Sequence, residues 1–460
     1  MRAVLRVSLA VAFAVGTGAL AACAGSPVST PWVGSQSGNP ERAHGLADGS
    51  SSKIQHVVIL VQENRPFNHL FMGYPGATTQ NYGYISTGKK VSLKPVTLEA
   101  NFIPGYGLKD FYTACNGTGS IPGTNCQMNG FDKVPTQCGG NHCPIAYPPY
   151  SYVEPSEVKP YWDLAKQYAL ADQMYASNID ESSFISHQYI IAAQAMASFN
   201  WPSTEEWGCE GPPGNSVPIL GQNRIPNGKR QAVCFPDITL GQEADDAGVT
   251  WTAYSAPIGP RNGGGYNGYQ ANQYVYNGPD WNKNIVQNPA TFLTDVAKGK
   301  LSQITWITPT FVNSDHPQSM SNTGPMWVAS VVNTIGQSKF WNSTAIFIFW
   351  DDPSGFFDPA PPPYVDYDGL GFRLPLLIVS PYTRKGYVSH VQYEHGSILK
   401  FTEDIFGLPR LSDSDTRANS PAQDVFDFNR PPRKFKVIKS ILGRDYFVRQ
   451  PLDRRPVDTQ

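Results

Sequence analysis

Charged residues are scarce in this sequence. They make up 16% of the 460 residues, below the roughly 25% that is usual for globular proteins. The net charge is −2, and no concentrated block of Lys and Arg stands out. Because electrostatic binding to nucleic acid needs a basic surface of that kind, we expect no nucleic-acid partner.

The sequence also lacks a long hydrophobic run. Near the start, two arginines precede an apolar stretch too short for a comfortable membrane span, so residues 1–22 read as a signal peptide. Cys23 closes the stretch LAAC, a lipobox pattern in which the cysteine is acylated and anchors the protein to a membrane. The alternative is ordinary cleavage after Ala21, since residues 19–21 form an A-x-A site. We expect an exported, periplasmic or extracellular protein, anchored as a lipoprotein if Cys23 is acylated.

No C-x-x-C pair occurs in the sequence, which argues against a structural zinc site. Apart from Cys23 there are six cysteines, an even number in a chain bound for an oxidising compartment. We therefore expect disulfides between partners that are close in sequence, among the several pairings that six cysteines allow. The expected pairs are Cys115 with Cys126, Cys138 with Cys143, and Cys209 with Cys234.

Composition divides the chain into segments. Residues 23–52 are rich in Ser, Gly and Pro without periodicity, as in a flexible tether. Residues 53–440 follow as one continuous folded domain, and residues 441–460 as a C-terminal tail. Two stretches inside the domain, about 100–150 and 200–235, carry the cysteines and are rich in Gly, Pro, Tyr and Asn. We interpret them as loop insertions that disulfides stabilise by lowering the entropy lost on ordering.

Apolar runs bounded by turn residues predict buried strands. The predicted strands are 54–61, 249–254, 304–308, 344–350 and 374–380, with a further short strand at about 173–179. The predicted helices are 161–172, 186–197, 239–248, 324–336 and 396–407. Strands that alternate with helices indicate an α/β fold with a largely parallel central sheet and helices on both faces. Functional groups in such folds lie at the carboxyl ends of the strands.

Oxygen-bearing side chains directly follow two of these strands. Glu63 and Asn64 come after the first strand, and the adjacent Asp351 and Asp352 come after the strand 344–350. Adjacent carboxylates at a buried strand end repel each other and are costly to desolvate, so they usually need a cation. The four side chains form an all-oxygen set that favours Mg²⁺, Ca²⁺ or Mn²⁺, and Zn²⁺ stays an alternative. The competing interpretation is a capping and salt-bridge cluster, with solvated aspartates in a turn.

A hydroxyl group is the next element of the candidate site. Ser182 and Ser183 precede a helix that opens at about Phe184. A hydroxyl at a helix N-terminus lies in positive backbone potential, which favours both an attacking alkoxide and a phosphate group. Coordination to a metal would lower the pKa of the hydroxyl further. Ser183 is therefore the candidate nucleophile, and simple helix capping is the alternative.

Two of the eight histidines are informative by position. His316 lies just beyond the strand 304–308, and His395 lies at the start of the helix 396–407. Either imidazole can protonate a leaving group or hold a phosphate oxygen, so both are candidates for the general acid. An ordinary polar or capping role is the alternative for each.

In this order, these residues resemble the bacterial phosphoesterase family that contains the non-specific phospholipases C and secreted acid phosphatases, within the alkaline phosphatase superfamily. The family's E-N-R-S-F-D-H corresponds to residues 63–69, and its nucleophile region to S-F-I-S-H at 183–187. The latter is also similar to the T-F-P-N-H of nucleotide pyrophosphatases, with Ser183 at the attacking threonine and Ser186 replacing a phosphate-binding asparagine. Further matches are SDHP at 314–317, DDPSGFFDP at 351–359, RLPLLIVSP at 373–381 and HGSIL at 395–399.

The resemblance covers about 53–430 and implies a metal-dependent phosphoester hydrolase with an alkaline-phosphatase-like sheet. The implied metal ligands are Glu63, Asn64, Asp351, Asp352 and Ser183. The implied substrate-binding residues are Arg65, Ser186 and His187. In the expected reaction Ser183 attacks phosphorus, His316 or His395 protonates the leaving oxygen, and water then cleaves a phosphoserine.

Three positions depart from the family pattern. Asn68 replaces the usual Asp, Pro66 the usual Ser, and Pro359 stands where many members have the His of Y-D-H. If that histidine assists catalysis in relatives, either His316 or His395 takes its place here or the rates are lower. The long phospholipases carry additional C-terminal domains beyond the matched region, so this chain resembles the acid phosphatases more. We expect hydrolysis of phosphomonoesters.

Two other functions compete with this expectation. A phospholipase C shares the chemistry and differs in the loops that admit a diacylglycerol leaving group. A catalytically degenerate surface protein that binds phosphorylated ligands is a second alternative, motivated by the three departures. A sulfatase is disfavoured because the sequence contains no C-x-[PA]-x-R motif.

Overall fold

The computed structural model describes residues 53–140, 142–204, 207–258 and 267–455. The predicted signal peptide, Cys23 and the predicted tether lie outside these residues. Within the described ranges, no helix combines the length and the hydropathy that a membrane span requires.

A mixed, mostly parallel sheet of nine strands forms the centre of the described chain. Its strands are β1 (His56–Gln62), β2 (Ala169–Tyr175), β3 (Trp251–Tyr254), β4 (Ile285–Val286), β5 (Ile304–Ile307), β6 (Thr344–Trp350), β7 (Arg373–Val379), β8 (Tyr387–Ser389) and β9 (Tyr393–Glu394). Their spatial order is β4-β3-β5-β1-β6-β7-β2-β8, and β9 also pairs with β2. β7 runs antiparallel to β6 and β2, whereas the other pairs are parallel. The predicted largely parallel sheet is confirmed.

The central strands are buried along their whole length. β6 reads TAIFIFW and β7 reads RLPLLIV, and each of their residues is buried. Such continuous apolar runs are typical of strands covered on both faces. β1 pairs in register with β6, from His56 opposite Thr344 to Gln62 opposite Trp350. We call the edge where β1, β2 and β6 end the carboxyl edge, and the edge where they begin the amino edge.

Helices cover both faces of the sheet, as predicted. They are α1 (Phe67–Phe71), α2 (Leu108–Cys115), α3 (Lys159–Gln167), α4 (Ser183–Ala192), α5 (Leu240–Asp246), α6 (Gln273–Asn277), α7 (Asp280–Asn284), α8 (Thr291–Ala297), α9 (Gly324–Gly336), α10 (His395–Phe406), α11 (Asp413–Arg417), α12 (Ala422–Val425) and α13 (Arg444–Arg449). α3, α8, α9 and α13 pack together in one layer, and α4, α5, α10 and α11 in another.

The prediction is wrong around residues 161–179. α3 ends at Gln167, earlier than the predicted helix, and the strand β2 occupies residues 169–175 rather than 173–179. The stretch ALAD has helix-forming residues, but β2 pairs with β7 on one side and with β8 on the other. Pairing inside a buried sheet outweighs a weak local propensity.

The three predicted disulfide pairings are confirmed. They join Cys115 to Cys126, Cys138 to Cys143 and Cys209 to Cys234. Outside the central sheet, short two-stranded ladders pair Tyr82–Tyr84 with Lys90–Ser92, Lys94–Val96 with Ser151–Val153, Phe102–Pro104 with Thr136–Cys138, and Ser216–Leu220 with Pro226–Ala232.

Both insertions pack against segments at the carboxyl edge. In the first, the ring centroid of Phe111 lies 4.8 Å from that of Phe372, which precedes β7. In the second, the ring of Phe235 lies 5.8 Å from that of Phe184 in α4. The first insertion also contains α2, which the composition did not predict. The disulfide-bonded loops therefore support the ends of the strands on which the predicted site lies.

Candidate active site

Four segments bring the predicted site residues to the carboxyl edge. Glu63 and Asn64 follow β1, and Asp351 and Asp352 follow β6. Ser183 begins α4, which comes after β2. β1 is parallel to β6, and β2 runs in the same direction because β7 is antiparallel to both β6 and β2. The three strands therefore end at the same edge of the sheet, which brings these side chains close together.

Ser183, Asn64 and Asp352 form one hydrogen-bonded group, and all three are 0% exposed. Ser183 Oγ donates to Asp352 Oδ2 at 2.7 Å. Asn64 Nδ2 lies 2.9 Å from Asp352 Oδ1 and 3.4 Å from Ser183 Oγ. The backbone N–H of Ser354 also donates to Asp352 Oδ1, at 2.9 Å. The carboxylate is thus held where it can accept the serine proton.

Asn64 joins this group through an unusual backbone conformation. Its φ of 57° lies in the left-handed region, which asparagine tolerates better than most residues. Its backbone N–H donates to Asp351 Oδ1 at 3.1 Å. Its Oδ1 is buried and has no hydrogen-bond partner in the described part of the chain. An oxygen of this kind suits a hard cation.

Glu63, His187 and Asp351 form a second group beside the first. His187 Nε2 lies 3.2 Å from Glu63 Oε1 and 3.6 Å from Asp351 Oδ2. One ligand atom from each residue lies within 4.8 Å of the other two, and all three residues are buried. This donor set fits a metal ion.

Electrostatics strengthens that fit. Burial, with a smaller contribution from the nearby His395, lowers the pKa of His187 to about 3. At neutral pH the imidazole is therefore uncharged, and its ring nitrogen offers a lone pair but no positive charge. The buried carboxylates of Glu63 and Asp351 are costly to desolvate, and a divalent cation would offset that cost.

His187 differs most from its predicted role. The sequence assigned it to the substrate, whereas the structure places it between the carboxylates of Glu63 and Asp351. Ser183 and His187 are four residues apart in α4, so they share one helix face, and this spacing could have revealed the pairing. Since the donor set now contains a ring nitrogen, Zn²⁺ fits it as well as the cations expected from oxygen ligands alone.

The two candidate general acids lie in different surroundings. His395 follows β9 and is buried, and burial lowers its pKa to about 4. Its Nδ1 accepts from the backbone N–H of Ser177 at 3.5 Å. The ring of His316 lies 5.0 Å from that of Phe311, in the loop that follows β5.

Arg65, predicted to bind substrate, supports the His316 loop. Its Nε donates to the carbonyl of Asp315 at 2.8 Å, and its Nη2 to that of Leu98 at 3.2 Å. Tyr161 donates to Asp315 Oδ2 at 2.6 Å and fixes the same loop. Arg65 is fully buried, and this burial lowers its pKa to about 10.

Ser186, the other residue assigned to the substrate, lies one turn after the start of α4. Its Oγ donates to Asn178 Oδ1 at 3.5 Å, and the side chain is buried. The structure therefore places Ser186 against the segment that links β2 to α4. Any contact with a phosphate oxygen would share this hydroxyl with Asn178.

The departure at Asn68 has a structural explanation. Its side-chain amide makes two hydrogen bonds of 2.9 Å with the backbone of Gln80. Its backbone N–H donates to Asp358 Oδ2, and Arg373 binds the same carboxylate through Nε at 3.0 Å and Nη2 at 3.1 Å. Asp358 and Arg373 are both 0% exposed. This buried ion pair, which the sequence did not reveal, connects the loop after β6 to β7.

Comparison with known proteins agrees with these observations. A model of the phosphoesterase family matches residues 54–409. The non-hemolytic phospholipase C of Burkholderia pseudomallei is 25% identical over 408 residues, covering 78% of this chain and 56% of that protein. Phospholipase C B of Mycobacterium tuberculosis is 27% identical over 452 residues, covering 86% of this chain and 82% of that protein.

Among solved structures, a protein of the alkaline phosphatase superfamily from Vibrio parahaemolyticus matches with 11% identity and a TM-score of 0.36. That match covers 80% of this chain and 71% of the other. The chain spans little more than half the length of the Burkholderia relative. Because the family match extends over most of the sequence, the chain belongs to the phosphoesterase family, a family of phosphoric ester hydrolases.

Proposed function

We propose that this protein hydrolyses phosphoesters with Ser183 as the nucleophile. The observation that carries the proposal is the 2.7 Å hydrogen bond from Ser183 Oγ to the buried carboxylate of Asp352, at the N-terminus of α4. As the hydroxyl attacks phosphorus, Asp352 accepts its proton. The positive end of α4 favours the negative charge that develops on the phosphate oxygens. Water then cleaves the phosphoserine.

Glu63, His187 and Asp351 are the proposed ligands of a divalent cation, with Asn64 Oδ1 as a further oxygen donor. Their support is the burial of all these side chains and the close approach of their ligand atoms. A bound cation supplies Lewis-acid stabilisation of charge on the phosphate and on the serine oxygen. In the sequence-based assignment Asp352 was also a ligand, and its hydrogen bonds to Ser183 and Asn64 favour the role of proton acceptor instead.

His395 and His316 are the proposed candidates for protonating the leaving oxygen, and because burial lowers the pKa of His395 to about 4, His395 would serve in acidic solution. A general acid matters most for a poor leaving group, so His395→Asn and His316→Asn should be compared on an alkyl phosphate and on a nitrophenyl phosphate. The variant that loses activity on the alkyl ester far more than on the nitrophenyl ester identifies the acid. Equal losses of activity on both esters would show that the substituted histidine is not the general acid.

Two substrate classes are candidates. The sequence favours phosphomonoesters, as in the acid phosphatases. The names of the relatives from Burkholderia pseudomallei and Mycobacterium tuberculosis favour the phosphodiester of a phospholipid. Both reactions can use the same nucleophile, so the difference lies in the leaving group that the loops around Ser183 admit.

The test compares the exported chain with its Ser183→Ala variant on nitrophenyl phosphate, bis(nitrophenyl) phosphate and phosphatidylcholine vesicles. We expect the variant to lose about 10³-fold or more of kcat/KM on every ester that the wild type cleaves. Activity on the lipid alone would identify a phospholipase C, and activity on the monoester alone a phosphatase. Binding without turnover on all three would favour the degenerate binding protein, and an unimpaired Ser183→Ala would overturn the proposal.

We also propose export and acylation at Cys23. Disulfides persist in oxidising compartments, which supports export. Mass spectrometry of the N-terminal peptide from the exported protein tests the anchor. A diacylglyceryl group on Cys23 is the expected result, and a free N-terminus at Ala22 would indicate ordinary cleavage.

A further inference from the structure

Residues 430–444 form a concentrated basic segment, which we call the basic strip. It contains six Lys and Arg residues and no Asp or Glu. Since the whole chain carries a net charge of −2, the remaining residues carry −8. The low net charge of the whole chain therefore does not exclude a local excess of positive charge. The inference from the sequence that no concentrated basic block occurs is wrong for residues 430–444.

The strip is fixed to the domain by its inner side chains. The Arg433 guanidinium donates to the carbonyls of Gln167 and Thr383, both at 3.0 Å. The ring of Phe435 lies 4.9 Å from that of Trp341. The backbone N–H of Ile438 donates to Asn333 Oδ1 at 2.8 Å. The strip is therefore an ordered surface element.

These anchors place the strip along the amino edge of the sheet. Gln167 comes just before β2, Trp341 just before β6, and Thr383 shortly after the end of β7. Asn333 lies near the end of α9. The strip consequently lies on the side of the sheet opposite to Ser183. β1 has seven residues, so a rise of about 3.3 Å per residue separates the two edges by about 20 Å.

The outer side chains of the strip combine charge with exposed aliphatic groups. Arg430 is exposed but pairs with Asp427, its Nε lying 2.6 Å from Asp427 Oδ2. The other exposed cations are Lys434, Lys436 and Lys439. Between and beside them, Val437 is 48% exposed and Ile441 is 94% exposed. At the end of the strip, Arg444 lines a cavity of about 460 Å³ together with Lys339. Exposed aliphatic side chains that alternate with cations along one segment suit the interface of an anionic bilayer, where the aliphatic groups insert and the cations meet lipid phosphates.

The start of the described chain lies beside the same strip. Lys53 Nζ donates to the carbonyl of Phe428, two residues before the strip begins. Lys53 is the first described residue, and Cys23 precedes it in the sequence, outside the described residues. An acyl anchor alone binds a membrane weakly, and a basic patch next to it is the second signal that stable attachment requires.

We infer that the basic strip docks this protein onto a membrane surface that contains anionic phospholipids. Lys434, Lys436 and Lys439 meet the lipid phosphates, and Ile441 inserts among the acyl chains. Nucleic acid is the less suitable polyanion, because the exposed apolar groups of the strip are aliphatic and cannot stack on bases. Docking leaves the carboxyl edge facing away from the bilayer, so substrate reaches Ser183 from the aqueous side. The inference does not depend on the proposed hydrolysis.

The experiment measures binding of the full exported chain, carrying Cys23→Ala so that no acyl group contributes, to sedimented vesicles. The vesicles contain phosphatidylcholine alone or phosphatidylcholine mixed with phosphatidylglycerol. We expect binding to the mixed vesicles only, weakening as salt is added. At about 1 kcal/mol per basic residue, Lys436→Gln with Lys439→Gln should weaken the partition coefficient about thirtyfold.

Matched variants separate docking from general charge effects. Lys89→Gln with Lys109→Gln removes the same charge from exposed positions elsewhere and should change binding less than about twofold. Ile441→Ser should weaken binding about tenfold, with little dependence on salt. Ser183→Ala should bind like the parent, which keeps a failure of docking distinct from a failure of catalysis. Circular dichroism confirms that each variant is folded.

Three outcomes would overturn the inference. One is the same affinity for both kinds of vesicle. Another is an equal loss in the control pair Lys89→Gln with Lys109→Gln. The third is binding to duplex DNA or heparin that is tighter than binding to the anionic vesicles and unaffected by Ile441→Ser, which would identify a polyanion rather than a bilayer as the partner.

Discussion

The two edges of the central sheet contrast in charge and in exposure. At the carboxyl edge, Glu63, Asp351 and Asp352 are carboxylates with 0% exposure. At the amino edge, Lys436 and Lys439 of the basic strip are exposed to solvent. Buried carboxylates need a proton donor or a cation beside them, so these three residues are suited to binding a metal and to accepting a proton. Exposed lysines stay hydrated and need no partner to be stable, so they remain free to meet an external surface.

The largest effect should follow from changing a carboxylate of the proposed metal site. Asp351→Asn should release the bound metal and lower kcat/KM about 10³-fold, because it removes one of the two negative ligands around His187. Inductively coupled plasma mass spectrometry and ester hydrolysis measure the two losses. Asp427→Asn, a change in the segment leading to the amino edge, is the control and should keep metal and activity. Full metal content and activity in Asp351→Asn would contradict the proposed site.

The ion pairs at the two edges should differ in their effect on stability. Asp358→Ala leaves Arg373 buried without its carboxylate, and we expect a loss of about 3–5 kcal/mol in the free energy of unfolding. Arg444 and Asp445 lie 3.3 Å apart with side chains 40% and 77% exposed. Asp445→Ala should therefore give no measurable change. Denaturant unfolding measures the free energy of unfolding of both variants. Equal losses in the two variants would contradict the prediction that the buried ion pair contributes more.

A smaller effect should follow from the buried His395. Its pKa is about 4 in the folded chain against 6.5 for a free histidine, because burial disfavours the charged ring. As the pH falls from 6.5 to about 4, the unfolded chain takes up a proton that folded His395 does not. The contribution of His395 to stability is thus present above pH 6.5 and is lost through that window.

His395→Gln should remove this loss, which amounts to about 3 kcal/mol at most. Denaturant unfolding of the metal-free protein between about pH 7 and about pH 4 measures it. His142→Gln, at an exposed position, should leave the slope of the wild type unchanged. An unchanged slope in His395→Gln would show that this histidine is not buried in its neutral form.

The smallest effect on catalysis should come from the amino edge. Lys436→Gln with Lys439→Gln should change kcat/KM for a soluble nitrophenyl ester less than about twofold, because about 20 Å of sheet lies between these lysines and Ser183. The same assay is repeated with the chain bound to vesicles. A soluble ester should reach the carboxyl edge of the bound chain as well, so binding should leave its hydrolysis unchanged. A tenfold loss in solution would show that the two edges are coupled.

The positions of the candidate site could be predicted because strand ends are visible in the sequence. The strand 344–350 was bounded correctly, so Asp351 and Asp352 were placed at its carboxyl end from pattern alone. Their division of labour could not be predicted. Asp351 approaches His187, whereas Asp352 accepts from Ser183, and this division depends on side-chain directions after the strand. The left-handed turn at Asn64 is likewise a tertiary feature.

Other features were missed because they depend on distant contacts. β2 was assigned too late in the chain, since only its pairing with β7 and β8 makes the stretch ALAD extended. The sequence pattern does not reveal the basic strip, because its cations are spaced by Pro and apolar residues without a period. Arg433 and Phe435 hold the segment along the amino edge, and only this arrangement places its charges on one surface.

The central claim is that Ser183 carries the phosphoryl group during turnover. Acid quenching of the wild-type protein during hydrolysis of a phosphomonoester, followed by peptide mass spectrometry, tests it most directly. We predict phosphate on the peptide that contains Ser183, and no labelled peptide from Ser183→Ala. Phosphate on another residue, or full turnover without any phosphorylated peptide, would contradict the account.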